Sequence, residues 1–398
     1  MEFIQLLFSC LHSKRNNSLS GCGIDFGVDM KETENRFEVI YELHIEKGIS
    51  AFKVAEGICL EQTVEVDRSL VCNSFISDEV VGQIVKLEPL EMGKYRLKVS
   101  YTWDVTAGNI PQFFNVLYGN ISMKPSIKVV DFIGDHPMFP GPQYGITGLR
   151  KIFREMDHPL LCSAIKPMGH DVQSFAHMAY KMALGGIHMI KDDHGLNDQP
   201  FCPFEERVVK VSEAINKANA ETGGNCMYMP NFAPSFENFD HHLDILKRNE
   251  IKGILVSPFL IGLDQFRYLA THESFILMAH PTFSGGYLMH ENHGMRPGFL
   301  LGKLFRYLGA DASIYCNIGG RFSFDLATCK DINTELWSAH PRIKSAFPVP
   351  AGGMTMSNLG QMKKVYGKDL IFLVGGALLQ SEDLTKGVKE FRRLAFAD

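Results

Sequence analysis

The sequence predicts an α/β protein built from a C-terminal (β/α)8 barrel and a smaller N-terminal α+β domain. Three observations carry this. The chain has 398 residues, 45% of them apolar, which is enough for a barrel-sized core and a second, smaller one. From Pro159 onward short apolar runs alternate with helical patterns, and before about Ser126 strand-like segments are mixed with a helical one. A net charge of -5 offers no broad basic surface, which argues against nucleic acid as a partner.

Residues 1–35 are expected to form an irregular or mobile arm. The run Phe3 to Cys10 is apolar but short, lacks a basic n-region, and leads into the polar stretch Lys14 to Ser20, unlike a signal peptide. No stretch approaches the ~20 apolar residues of a membrane span. The nine cysteines are odd in number and scattered without a C-x-x-C pair, as expected of reduced thiols in a cytoplasm.

The N-terminal domain is placed at 36–145. Arg36 to Leu43 and Lys94 to Trp103 have the composition of strands, and Phe52, Ala55 and Cys59 fall at helical spacing. The Pro/Gly-rich segment from Asp135 to Gly148 reads as irregular chain leading into the barrel domain, 146–398.

The eight apolar runs are 160–167, 186–193, 226–232, 253–259, 275–281, 312–318, 347–353 and 370–376. They are continuously apolar because parallel strands are buried on both faces. After the first, Asp171 is a candidate cap for a helix carrying Phe175, Ala179 and Met182. After the second, Val208, Val211 and Ile215 repeat the pattern until Gly223 stops it. A doubly wound open sheet would share the βαβα order, but no G-x-G-x-x-G follows the first strand.

Active sites of such barrels lie at the C-terminal strand ends, and here these are polar. They comprise Lys166, the run Lys191-Asp192-Asp193-His194, Asn231, His280 and Asn317, with glycine pairs at Gly352-Gly353 and Gly375-Gly376. Strand alternation points Lys191 and Asp193 the same way, and His194 can turn in beside them. A carboxylate and an imidazole suit Mg2+ or another divalent ion, whereas a lysine is a ligand only after modification, for example by CO2 to an anionic carbamate. Lys191 is otherwise a Schiff-base nucleophile or an ion-pair partner of Asp192. The glycine pairs suit either a phosphate cradle of bare N–H groups or simple tight turns.

Taken together, Gly119-Asn120, FPGPQYGI (139–146), IKP (165–167), GGIHMIKDDH (185–194), NHGM (292–295), AGG (351–353) and VGG (374–376) resemble RuBisCO and the RuBisCO-like proteins, form IV of that family. The resemblance implies a ferredoxin-like N-terminal domain and a homodimer whose sites combine a barrel mouth with the partner's N-terminal domain. It implies that Lys191 is carbamylated, that Lys191, Asp193 and His194 hold Mg2+, and that Lys166 is the proton-transfer base in enolisation, with His280 the next candidate. Asn120 and Glu61, or alternatively Glu56, match residues that face the neighbouring site. The carboxylase pattern is broken at His194, normally glutamate, and at Met168, Pro281, Ile314, Arg321 and Ala351, where polar groups of the CO2-addition machinery are lost or altered. The expected function is enolising isomerisation or tautomerisation of a phosphorylated ketose, such as a methylthioribulose phosphate, without carbon fixation. Decarboxylation or transcarboxylation of a phosphorylated 3-oxo sugar acid is the alternative, and a non-catalytic binding protein on the same scaffold is a third reading.

Overall fold

The computed structural model describes residues 35–398 apart from Met92, Arg321, Ser323 and Asp398, together with the backbone of Ile24–Asp25. Arg321 and the Phe3 to Cys10 run thus lie outside the described residues, as does most of the 1–35 arm. Within that arm Ile24–Asp25 pairs with Leu87 and Lys86 as a short strand. The chain divides into two units, one holding residues up to Ala107 with Phe114–Gly134, the other holding Gly108–Phe113 with Asp135 onward.

The N-terminal unit is an antiparallel sheet in the order 24–25, 83–91, 94–102, 36–44, 127–133. Alternation in Arg36–His44 buries Phe37, Val39, Tyr41 and Leu43. Helix Ala51–Glu61, capped by Ser50, buries Ala55, Ile58 and Cys59. Phe52, assigned to that apolar face from spacing, is instead 47% exposed.

The second unit is the barrel. Its strands are β1 (Leu160–Ile165), β2 (Met189–Asp192), β3 (Met227–Met229), β4 (Gly253–Val256), β5 (Ile276–Ala279), β6 (Ala312–Cys316), β7 (Phe347–Ala351) and β8 (Ile371–Leu373). Each lies inside one of the eight apolar runs. All pairs are parallel, in the order β3-β2-β1-β8-β7-β6-β5-β4. The ring closes beyond β3, where Leu255 N donates to Pro230 O and Phe232 N to Leu255 O.

Asp171 caps helix Val172–Leu184 by accepting from Ser174 N at 2.8 Å, and Gly223, at φ +67°, ends helix Phe204–Thr222. The segment Asp135–Tyr144, assigned from sequence to the first domain, belongs to the barrel unit. Asp311, just before β6, accepts from Tyr144 N and Gly145 N, while Gly141 N donates to Tyr307 O. Backbone hydrogen bonds of this kind hold irregular chain to a scaffold that composition cannot identify. None of the seven described cysteines is in a disulfide. Among the described residues no helix is long and apolar enough to cross a membrane.

Candidate active site

Period two builds the site. Leu160 and Cys162 of β1, Met189 of β2, Met278 of β5, Ile314 of β6, Val349 of β7 and Leu373 of β8 share one buried cluster. Stepping two or four residues along the same strand faces brings Ala164, Lys166, Lys191, Asp193, His280, Cys316, Ala351, Gly353 and Gly375 to a cavity of about 760 Å³. His194, Gly352 and Gly376 line it too. Asn317 has the opposite parity, so it faces outward. Its Nδ2 donates to Met354 Sδ and its Oδ1 accepts from Tyr366. Asn231 has the inward parity but lies beneath a loop, donating from Nδ2 to the His194 and Leu196 carbonyls.

Lys191 is 3% exposed. Burial lowers its amine below the ordinary lysine range, with neighbouring Asp193 opposing that shift and Lys166 adding to it. Its Nζ donates to the Asp192 carbonyl oxygen at 2.9 Å. The Asp192 side chain faces away and pairs with Arg207, 3.1 Å from Nε, so the sequence reading of a Lys191–Asp192 ion pair does not hold.

His194 Nδ1 lies 3.3 Å from Asp193 Oδ1, and its ring stacks on His280 with centroids 4.3 Å apart. Burial lowers both imidazoles below the ordinary histidine range, His280 well below it. Thr282 N–H donates to His280 Nδ1 at 3.2 Å, and the Thr282 hydroxyl lies 2.6 Å from the same nitrogen. A neutral ring accepting at Nδ1 carries its proton on Nε2. In that tautomer His280 presents Nε2–H as a donor. Nothing in the sequence singled out Thr282.

A carboxylate and an imidazole at the strand end suit a divalent metal. Among the described residues no group of three His, Cys, Asp or Glu side chains could hold one, so Asp193 and His194 need a third ligand. A carbamate on Lys191 would supply it, and the lowered basicity of this buried amine favours the neutral form that combines with CO2. The set fits a divalent cation on that condition.

Gly352 and Gly353 have φ of +79° and +68°. A Cβ on Gly353 would come within 2.7 Å of the Ile318–Gly320 backbone, so both tight turning and close approach require glycine there. At Gly375 a Cβ would meet Lys166 Nζ at 3.0 Å, so this glycine clears room for the amine. The rest of the lining is largely apolar and includes Pro281, Leu301, Ile314, Phe324 and Met354. Met168 is not part of it and is 48% exposed. Glu61 and Asn120 meet in the N-terminal unit, where Asn120 Nδ2 donates to Glu61 at 3.0 Å and to Glu65 at 2.7 Å.

Fold and site define a (β/α)8-barrel protein with a lysine, carboxylate and histidine cluster at the strand ends. Residues 145–393 match the ribulose bisphosphate carboxylase large chain, catalytic domain. Ribulose bisphosphate carboxylase-like protein 1 of Rhodopseudomonas palustris is 35% identical over 370 residues, 92% of this chain and 98% of that one. The 5-methylthioribulose-1-phosphate isomerase of Rhodospirillum rubrum is 33% identical over 336 residues, 83% and 88% of the two chains. The crystal structure of a Rubisco-like protein from Rhodopseudomonas palustris aligns with a TM-score of 0.80 at 29% identity, covering 91% of this chain and 98% of that one. The chain belongs to the RuBisCO large-chain family, among its RuBisCO-like members.

Proposed function

We propose that this protein is a metal-dependent enolising isomerase or tautomerase that acts on a phosphorylated ketose of the methylthioribulose phosphate type and fixes no CO2. One observation carries the reading. A single cavity joins Lys166, Lys191, Asp193, His194 and His280 to a lining that Pro281, Leu301, Ile314, Phe324 and Met354 make apolar. Similarity to the Rhodospirillum rubrum isomerase supports it.

In this reading the Lys191 amine combines with CO2, loses a proton and becomes an anionic carbamate. With Asp193 and His194 it would hold Mg2+ or another divalent ion. Such an ion, when bound, polarises a carbonyl oxygen and offsets enolate charge, an effect worth several kcal/mol. Lys166 takes the proton from the neighbouring carbon, and Gly375 leaves its side chain room to do so. His280 donates from Nε2 to a substrate oxygen. Backbone N–H groups at Gly352-Gly353 and Gly375-Gly376 receive the phosphate. The apolar lining suits a thioether or alkyl end of the substrate. The protein would work in the cytoplasm as a homodimer, Glu61 and Asn120 of each copy completing the other's site.

The test is proton exchange of 5-methylthioribulose 1-phosphate in D2O, followed by NMR with Mg2+ and bicarbonate present. Wild type should exchange the proton α to the carbonyl. Lys166→Met keeps length and packing but accepts no proton, so exchange should fall ~10²-fold or more with metal binding retained. Lys191→Ala and Asp193→Ala should lose the metal. A wild-type protein that leaves the substrate unexchanged would overturn the enolising reading in favour of a non-catalytic one.

A further inference from the structure

Asp192 is the member of the Lys191–His194 run that turns its back on the cavity. It is fully buried, and both carboxylate oxygens are engaged. Tyr228 Oη donates to Oδ1 at 2.7 Å, while Arg207 Nε and Asn231 N donate to Oδ2 at 3.1 Å and 3.0 Å. A buried ion pair is a weak source of stability, because desolvating two charges offsets their attraction, and an apolar pair of similar volume often serves the fold as well. Its place behind the candidate ligands therefore calls for another explanation.

The hydrogen bonds supply one, because they pin the loop carrying Asp193 and His194 along its whole length. At its start Asp192 offers its carbonyl oxygen to Lys191 Nζ at 2.9 Å and its carboxylate to β3 and to the helix Phe204–Thr222. In the middle, Asn231 Nδ2 donates to His194 O at 3.1 Å and Leu196 O at 2.8 Å. At its end Arg207 Nη1 donates to Cys202 O at 2.9 Å. Asn231 links the first two anchors, since its N–H meets Asp192 and its side chain meets the loop. Arg207 links the first and the last.

We propose that Asp192, Arg207, Tyr228 and Asn231 are positioning residues that hold Lys191, Asp193 and His194 in the arrangement that takes up a divalent cation. This rests on the metal reading above. None of the four lines the cavity, so each acts through the backbone and side chains it fixes. Groups standing behind metal ligands typically change affinity 10- to 100-fold when removed.

The experiment titrates intact protein with Mn2+ in bicarbonate buffer by EPR, alongside amide hydrogen exchange of residues 193–202 in metal-free protein. Asp192→Asn would leave Arg207 buried beside a neutral group and risks unfolding. The working variants are therefore Tyr228→Phe, which strips Asp192 Oδ1 of its donor at nearly constant volume, and Asn231→Ala, which frees the loop carbonyls. Both should bind Mn2+ about tenfold more weakly than wild type and exchange faster over 193–202, while Asp193→Ala should bind none. If Tyr228→Phe and Asn231→Ala bind Mn2+ as wild type does while Asp193→Ala fails, the positioning role falls and the metal reading stands. If wild type binds no Mn2+, both fall together.

Discussion

His188 shows what one buried side chain does to the acid stability of the fold. Its Nδ1 accepts from Leu161 N–H at 2.9 Å, with Phe153 and Phe396 beside the ring. Burial and then Arg392 lower its pKa from 6.5 to about 4. Between those values the unfolded chain binds a proton that the folded one refuses, so stability rises with pH across the window. The contribution is fully present above pH 6.5 and lost as the pH falls toward 4, at most about 3 kcal/mol. We expect His188→Asn, whose amide oxygen can still accept from Leu161, to flatten the dependence of the urea midpoint on pH between 6.5 and 4. Parallel curves for the two proteins would show that other groups set the acid limit. Residue identity was informative in the sequence wherever strand parity decided the outcome, as at Lys166, Lys191, Asp193 and His280. It was misleading at Asn231 and Asn317, because one is covered by a loop and the other faces outward.

At the scale of elements, helix termini and strand alternation follow local rules and were legible. The helix Phe204–Thr222 ends at Gly223 because the next residue must turn left-handed, at φ +67°. A Cβ there would meet nothing within 4 Å, so Gly223→Ala isolates the backbone strain from any clash. We expect it to destabilise the protein by about 1 kcal/mol, measured by urea unfolding, with Mn2+ affinity unchanged. A neutral result would mean that the helix terminus re-forms around alanine. The segment Asp135–Tyr144 was not legible in this way. Its allegiance to the barrel unit comes from bonds to Asp311 and Tyr307, more than 160 residues away in the chain.

At the scale of the whole molecule, the proposed homodimer makes a quantitative expectation. Lys166 belongs to the barrel and Glu61 to the N-terminal unit. If each site draws Lys166 from one copy and Glu61 from the other, Lys166→Met and Glu61→Gln should each be inactive alone. Random reassortment then gives half heterodimers with one intact site in two, restoring about a quarter of wild-type exchange activity. No recovery on mixing would mean that both residues serve the same copy's site, and full activity of Glu61→Gln alone would mean that Glu61 serves none. The sequence by itself determined the number and order of the βα units and the residues that close the strands. Apolar runs, caps and period two depend only on neighbours along the chain. Only the tertiary structure decided that Asp192 belongs to Arg207 rather than to Lys191, that Thr282 fixes the proton on His280, and that Gly375 stands clear for Lys166. Those partners meet across different strands and loops, where hydrogen-bond direction and available volume, rather than spacing in sequence, select who touches whom.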